Sequence, residues 1–168
     1  NRVCSTDYYT GKVIKKNKQK DLAMIEVKGL PKRIKPVEFG KYKDVKVGET
    51  AFAIGHPNDL VWTFSDGRVS QKRPDYKWTY KNSRHKANTI QINVNINPGN
   101  SGGPLFNKNQ KLIGVNTFTT EGENLNFAIA VDDLIEFINE VEQKDIDSKY
   151  IKKKKKGNTW IQKKSDKD

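Results

Sequence analysis

A serine enclosed by glycines is the feature of this sequence that most constrains its fold and chemistry. Residues 97–105 read NPGNSGGPL. Because glycine adopts backbone dihedrals that other residues avoid, Gly99, Gly102 and Gly103 allow successive N–H groups to converge near the Ser101 hydroxyl. Converging N–H groups stabilise the oxyanion that forms when a hydroxyl attacks an acyl carbon. The stretch therefore favours acyl transfer at Ser101, with a flexible turn as the alternative.

Length and composition favour a single domain. The 168 residues, 34% of them hydrophobic, suffice to bury one core. No apolar run approaches the length of a membrane-spanning helix, so we expect no membrane span. Cys4 is the only cysteine, and His56 and His85 are the only histidines. We therefore expect no intramolecular disulfide and no structural metal, and we expect no cofactor.

Positive charge is concentrated near the C-terminus. Nine lysines and two aspartates give residues 149–168 a net charge of +7, which leaves +5 of the total +12 for the rest of the chain. The run from Lys152 to Lys156 repels itself and cannot bury apolar surface. We therefore expect a folded domain over residues 1–145 and a lysine-rich, disordered tail or linker over residues 146–168. Contact of this tail with nucleic acid or an acidic surface is a less favoured alternative.

Short β-branched or alternating runs, bounded by turn residues, predict a mostly β fold. They cover Lys12–Lys15, Leu22–Val27, Thr50–Ile54, Val61–Gln71, Thr89–Val94, Lys111–Phe118 and Asn126–Ala130. Many short strands without intervening helices favour a barrel or sandwich. The segment from Lys72 to Lys86 interrupts this pattern with basic and aromatic residues. We expect a long solvated loop there, with single-stranded nucleic-acid binding as the alternative.

One helix is predicted after the last strand, from Asp132 to Gln143. Its apolar stripe consists of Leu134, Ile138 and Val141. Asp133 precedes Glu136 by three residues, a spacing typical of a capping box at a helix N-terminus. The sequence therefore predicts an all-β domain that ends in a helix.

A series of short motifs occurs in one order along most of residues 8–140. The motifs are Gly11–Val27, Val47–Thr50, Ala53–Pro57, Ser65–Ser70, Ile90–Leu105, Leu112–Thr117 and Asn126–Ile129. Taken together, they resemble the HtrA/Deg (DegP-like) family of trypsin-like serine proteases, which belongs to the chymotrypsin clan. The resemblance implies a chymotrypsin-like double β-barrel with the active site in the cleft between the barrels.

The resemblance also implies roles for individual residues. In a triad that follows the order His, Asp, Ser, Ser101 would be the nucleophile and Asp21 the carboxylate that orients the histidine. The N–H groups of Gly99 and Ser101 would form the oxyanion hole. The implied activity is that of a serine endopeptidase that cleaves polypeptides through an acyl-enzyme. The implied location is exported or periplasmic, and the oligomeric state stays open, with a homo-oligomer as one outcome.

The sequence departs from the family pattern because no histidine precedes Asp21. We expect His56 and His85 to be bystanders, since neither stands at the expected position. The favoured interpretation is a protease domain truncated at its N-terminus, with the catalytic histidine and the opening strands of the first barrel supplied by residues before Asn1. The alternative is a non-catalytic relative that binds peptides or protein partners, and a basic nucleic-acid-binding protein is less favoured.

The pocket for the substrate side chain can also be placed. We expect the loop before Ser101 and the strands around Val115–Thr119 and Asn126–Ala130 to form its walls. None of these segments carries a charge that would require a basic or acidic substrate residue. A small or aliphatic substrate residue is therefore expected.

Overall fold

The structure, a computed structural model, describes residues 9–55, 63–119 and 125–140. Cys4, His56, Val141 and the proposed tail over residues 146–168 lie outside these ranges, so the expectations about them stay predictions. Within the described ranges, no helix is both long and apolar enough to cross a membrane.

Eight strands carry the fold within these ranges. They are β1 (Gly11–Asn17), β2 (Leu22–Val27), β3 (Thr50–Gly55), β4 (Thr63–Tyr80), β5 (Ser83–Ile92), β6 (Pro104–Asn107), β7 (Leu112–Thr119) and β8 (Asn126–Ala130). A one-turn 3₁₀ helix (Tyr42–Asp44) precedes β3, and an α-helix, α1, covers residues 131–140. The predicted all-β fold with a helix after the last strand is confirmed.

Six of the strands close into a barrel in the order β3-β4-β5-β8-β7-β6. Pairing of β3 with β6, from Ala51 opposite Asn107 to Ala53 opposite Leu105, closes the ring. Because side chains alternate along a strand, Ala51 and Ala53 are buried while Phe52 between them lies on the outer face. The interior is filled mainly by aliphatic side chains, including Val69, Ile90, Ile92, Leu105 and Ile113.

β1 and β2 form a separate two-stranded sheet. Three of its aliphatic side chains are largely exposed: Val13 by 46%, Ile14 by 48% and Ile25 by 57%. An antiparallel sheet normally covers one apolar face. With two strands and uncovered apolar side chains, the first barrel is incomplete in the described residues, as expected.

The segment from Lys72 to Lys86 corrects one prediction, because it forms an extended β-hairpin and not a solvated loop. β4 continues through Tyr80, and β5 begins at Ser83. Lys81 and Asn82 join the strands with φ angles of 46° and 64°. Two consecutive residues in this left-handed region suit a tight hairpin turn between twisted strands.

The hairpin has an aromatic face and a basic face. Tyr76 and Trp78 alternate with Lys77 along β4 and so lie on the opposite side of the strand from it. The two aromatic rings stack on Phe118 and Phe127 of the barrel, with the Trp78 and Phe118 centroids 4.7 Å apart and the Tyr76 and Phe127 centroids 5.2 Å apart. The many basic residues of this segment make the alternation hard to recognise, which explains why the sequence suggests a loop.

The helix α1 begins one residue earlier than predicted, and the predicted capping box is wrong. Asp133 lies inside the helix and is only 5% exposed. Its carboxylate binds the Lys20 ammonium and the Asn88 N–H instead of the first turn of its own helix. The most deeply buried apolar side chains of the helix are those of Val131, at 0% exposure, and Phe137, at 1%, and the predicted stripe includes neither.

Candidate active site

Ser101 lies on an exposed turn between β5 and β6. Asn100, immediately before it, is only 1% exposed and anchors the turn in the barrel. The N–H of Asn100 donates to the Asn97 carbonyl, and the N–H of Gly103 donates to the Asn100 carbonyl, both at 2.9 Å. These backbone bonds fix the turn and leave the serine side chain at the surface.

Two N–H groups of this turn are left without an acceptor. Within the described residues, the N–H groups of Gly99 and Ser101 bind no protein atom, whereas that of Gly102 donates to the Asn116 carbonyl at 2.8 Å. Gly99 has a φ of 103°, a conformation that favours glycine. The two free groups are therefore the donors that the turn can offer to an anion beside Ser101.

The turn rests on the end of β3, where only a glycine fits. A Cβ atom built on Gly55 would lie 1.9 Å from Oδ1, 2.7 Å from Cγ and 3.0 Å from Cα of Asn100. Real Cβ atoms do not approach other heavy atoms so closely. The position of Ser101 on the barrel therefore depends on a direct contact between Asn100 and the backbone of β3.

We expect Gly55→Ala to lower the free energy of unfolding of the full-length protein by about 1–3 kcal/mol, the usual effect of overpacking. Urea denaturation measures the change. Asn100→Ala removes the Oδ1 and Cγ contacts. Gly55→Ala should therefore lower the free energy of unfolding by less in a protein that already carries Asn100→Ala. An equal cost in both backgrounds would show that the Asn100 side chain is not what excludes alanine.

Asp21 ends the tight turn between β1 and β2. Its φ of 55° lies in the left-handed region, which aspartate tolerates better than most residues. The Lys20 N–H donates to Asn17 Oδ1 at 2.9 Å and closes the turn. The Lys86 N–H of β5 donates to the Gln19 carbonyl at 2.9 Å and attaches the turn to the hairpin of the second barrel. Asp21 is therefore held at the junction of the two sheets.

Thr117 connects Asp21 with Ser101. Its Oγ1 donates to Asp21 Oδ2 at 2.6 Å, and its carbonyl oxygen accepts a hydrogen bond from Ser101 Oγ at 3.0 Å. Asp21 and Ser101, which the family resemblance selects, are therefore both hydrogen-bonded to Thr117 of β7. The sequence analysis places Thr117 only in a pocket wall, and no sequence pattern indicates that it links Asp21 with Ser101.

Asp21 and Ser101 line the same cleft, which has a volume of about 460 Å³. As expected, the loop before Ser101 contributes Asn97 and Pro98, and the end of β7 contributes residues 117–119. Among the described residues, the expected wall from β8 is not part of the lining. A wall that the sequence did not predict is formed by the hairpin residues Trp78, Tyr80 and His85.

His85 lies in the cleft but makes no hydrogen bond to Asp21 or Ser101. Its ring stacks on Trp78 with the centroids 5.0 Å apart, and both ring nitrogens are buried without a hydrogen-bond partner. A general base must reach the hydroxyl proton directly or through one water molecule. This arrangement gives no support to His85 as a catalytic base.

A known domain family matches most of the described chain. Residues 5–115 match the family described as the trypsin-like peptidase domain. The chain belongs to this family. Among related trypsin-like peptidases, the chloroplastic protease Do-like 5 of Arabidopsis thaliana is 34% identical over 131 residues, which are 74% of this chain and 40% of that protein. A probable periplasmic serine endoprotease, DegP-like, of Rickettsia prowazekii is 37% identical over 126 residues, or 73% of this chain and 24% of that protein.

Solved structures of trypsin-like peptidases share the fold. The crystal structure of Deg5 matches with a TM-score of 0.62 and 33% identity, over 75% of this chain and 57% of that chain. The HtrA-type protease AlgW, solved with a decapeptide, matches with a TM-score of 0.68 and 25% identity, over 79% and 40%. The HtrA/Deg resemblance and its fold are thereby confirmed. The chain spans 24% to 40% of the length of the two curated relatives.

Proposed function

We propose that this chain is part of an HtrA-type serine endopeptidase that cleaves polypeptides through an acyl-enzyme on Ser101. The observation that carries the proposal is the bridge through Thr117, which joins Ser101 and Asp21 in one cleft. A serine peptidase requires its nucleophile and its orienting carboxylate on either side of one histidine. Two residues that lie far apart in the sequence line one cleft here and both bind Thr117, which supports this pairing.

In this proposal, a histidine from outside the 168 residues accepts the proton of Ser101 Oγ. Asp21 Oδ2 is occupied by the Thr117 hydroxyl, which leaves Oδ1 to accept the N–H of the histidine ring. This hydrogen bond would hold the reactive tautomer and stabilise the imidazolium that forms. The free N–H groups of Gly99 and Ser101 would bind the oxyanion. Each such donor typically lowers the activation free energy by about 3 kcal/mol.

The proposed substrates are extended polypeptides, because the cleft has an open strand edge. β7 pairs with β6 as far as Val115. Beyond that point, residues 117–119 line the cleft and, within the described residues, have no partner strand on the β6 side. An extended peptide can add to such an edge through main-chain hydrogen bonds. AlgW, a structural relative, was solved with a decapeptide, which supports a peptide ligand here.

An exported location is part of the proposal. It rests on the name of the Rickettsia relative, which is described as periplasmic, whereas the Arabidopsis relative is described as chloroplastic. Self-association into a homo-oligomer stays a prediction.

A non-catalytic protein that binds peptides is the second candidate. It is favoured by the Ser101 hydroxyl, which donates to the Thr117 carbonyl instead of a base. A serine without a base is a poor nucleophile at neutral pH. Nucleic-acid binding is less favoured, because bases need open rings for stacking and the rings of Tyr76 and Trp78 already stack on the barrel.

Labelling with a fluorophosphonate distinguishes the two candidates. Intact mass and N-terminal mapping of the native protein first establish whether a histidine precedes Asp21. The tryptic peptide 87–108 contains Ser101 as its only serine, so a label can be assigned without ambiguity. We expect this peptide to be labelled in the native protein and not after denaturation in urea. A native protein that binds an extended peptide but stays unlabelled would support the non-catalytic candidate.

A further inference from the structure

A nearly buried ion pair joins the β1–β2 turn to α1. Lys20, the neighbour of Asp21, places its Nζ 2.7 Å from Asp133 Oδ1 and also contacts the Glu136 carboxylate. The Lys20 side chain is 14% exposed and that of Asp133 is 5% exposed. Exposed ion pairs contribute little to the geometry of a protein, but this pair is shielded from water over most of its surface.

Asp133 is itself fixed by the barrel. Its second carboxylate oxygen, Oδ2, accepts the N–H of Asn88 in β5 at 2.9 Å. A buried ion pair is favourable only when its remaining lone pairs and protons are also hydrogen-bonded. Because Asp133 binds both Lys20 and Asn88, it connects the β1–β2 turn, β5 and α1 at one point.

The surrounding charges keep Lys20 protonated. Burial alone lowers the pKa of the Lys20 ammonium, but its hydrogen bonds to Asp133 and Glu136, together with their charges, raise the pKa by more. The net pKa lies above the ordinary value of 10.5. The Lys20 ammonium is therefore protonated at neutral and mildly alkaline pH.

Asp21 is held mainly through its two neighbours in sequence. On one side, Lys20 binds α1. On the other side, Leu22 is 7% exposed and packs in a cluster with Ala87, Ile129 and Phe137. Among the described residues, the Asp21 side chain itself contributes one hydrogen bond, from Thr117. A shift of Lys20 would therefore move the carboxylate relative to Ser101.

We propose that Lys20 and Asp133 are a positioning pair that sets the place of Asp21 relative to Ser101. The pair touches neither substrate nor reacting atoms, and acts by holding the β1–β2 turn against α1. The inference rests on the proposed function, because it concerns Asp21 as the carboxylate that orients the histidine.

Steady-state kinetics of the full-length protein test the pair. A misplacement of about 1 Å can cost about 10²-fold in rate, so we expect Lys20→Met to lower kcat by about 10²-fold with KM nearly unchanged. Lys20→Arg retains the charge and the donors and should restore kcat to within about threefold of the wild type. Unchanged kcat in Lys20→Met, measured per active site titrated with the fluorophosphonate, would overturn the proposal.

Lys15 offers a matched control. It also lies in the first sheet and reaches α1, with its Nζ 3.4 Å from Glu140 Oε2 and 3.2 Å from the Phe137 carbonyl, and its side chain is 13% exposed. It does not adjoin Asp21. Lys15→Met should therefore lower stability without lowering kcat, and an equal loss of kcat in both variants would show a general structural effect that contradicts positioning.

A second variant covers the case in which Lys20→Met fails to fold. Removing Lys20 leaves Asp133 with a buried charge, whereas Lys20→Met with Asp133→Asn removes both charges and keeps an acceptor for Asn88. This double variant should fold and show the same loss of kcat. If it folds with unchanged kcat, the proposal is overturned.

Hydrogen exchange separates this proposal from the proposed function. The Lys20 N–H, bonded to Asn17 Oδ1, reports on the turn without any catalysis. We expect the N–H at position 20 to lose protection in the double variant while β5 and β8 keep theirs. In one outcome, the double variant loses protection while the wild-type protein is not labelled by the fluorophosphonate. This result would support the anchoring of the β1–β2 turn by Lys20 and Asp133 and would contradict the proposed protease activity. Retained protection with an active wild type would contradict the positioning pair alone.

Discussion

Ser101→Ala is expected to lower kcat of the full-length protein by about 10⁶-fold, the effect typical of removing the nucleophile of a serine peptidase. The acyl-enzyme cannot form without Oγ, although the free N–H groups of Gly99 and Ser101 and the edge of β7 remain. These groups should preserve a rate about 10³-fold above the uncatalysed reaction. KM should change little because the substrate-binding groups are intact. Hydrolysis of an unfolded polypeptide substrate provides the measurement.

The loss should come without unfolding. Ser101 is exposed, and its side chain makes one hydrogen bond, to the Thr117 carbonyl, whose removal costs about 1 kcal/mol or less. Ser83→Ala, at an exposed serine of the hairpin, is the matched control and should retain wild-type kcat. A Ser101→Ala protein with substantial kcat would place the nucleophile elsewhere.

Local sequence patterns predict the strands of the barrel well, because each strand is indicated by its own β-branched residues and by the turn residues at its ends. The strand predicted over Thr50–Ile54 is present, and Ala51, Phe52 and Ala53 alternate between the interior and the outer face as strand geometry requires. The hairpin over residues 72–86 is the exception. A bulge between Arg73 and Tyr76 interrupts its alternation. One face is basic and the other packs on barrel aromatics that no local pattern reveals, so the sequence suggests a loop.

The candidate site is less accessible to sequence reasoning, because its contacts are long-range. Ser101 can be selected from the glycines around it, but Asp21 can be selected only through the resemblance to a family. The hydrogen bond from Thr117 to Asp21 joins residues 96 positions apart and arises only when β1 and β2 dock on β7. Asp133 shows the same limit, since a local pattern assigns it to a helix cap and the tertiary structure uses it to bind Lys20.

Asp21→Asn is expected to lower kcat by about 10⁴-fold while the protein stays folded. Thr117 Oγ1 donates to one oxygen of the Asp21 carboxylate. An asparagine can accept this bond through its single oxygen, but its NH₂ group then faces the histidine, which meets a donor where it needs an acceptor. The histidine would be held in the wrong tautomer. kcat and the thermal midpoint of the purified variant together check the prediction.

Asparagine is the appropriate substitution because it tolerates the φ of 55° at position 21 as well as aspartate does, whereas alanine would strain the turn. Asp75→Asn is the matched control. Asp75 also has a left-handed φ, of 51°, and pairs with Lys86 at 2.8 Å, but it does not line the cleft. Its variant should keep wild-type kcat. Combining Asp21→Asn with Ser101→Ala should add little to the loss from Ser101→Ala alone, because nucleophile and carboxylate act as a unit. A folded Asp21→Asn protein that loses only about tenfold in kcat would exclude Asp21 as the orienting carboxylate.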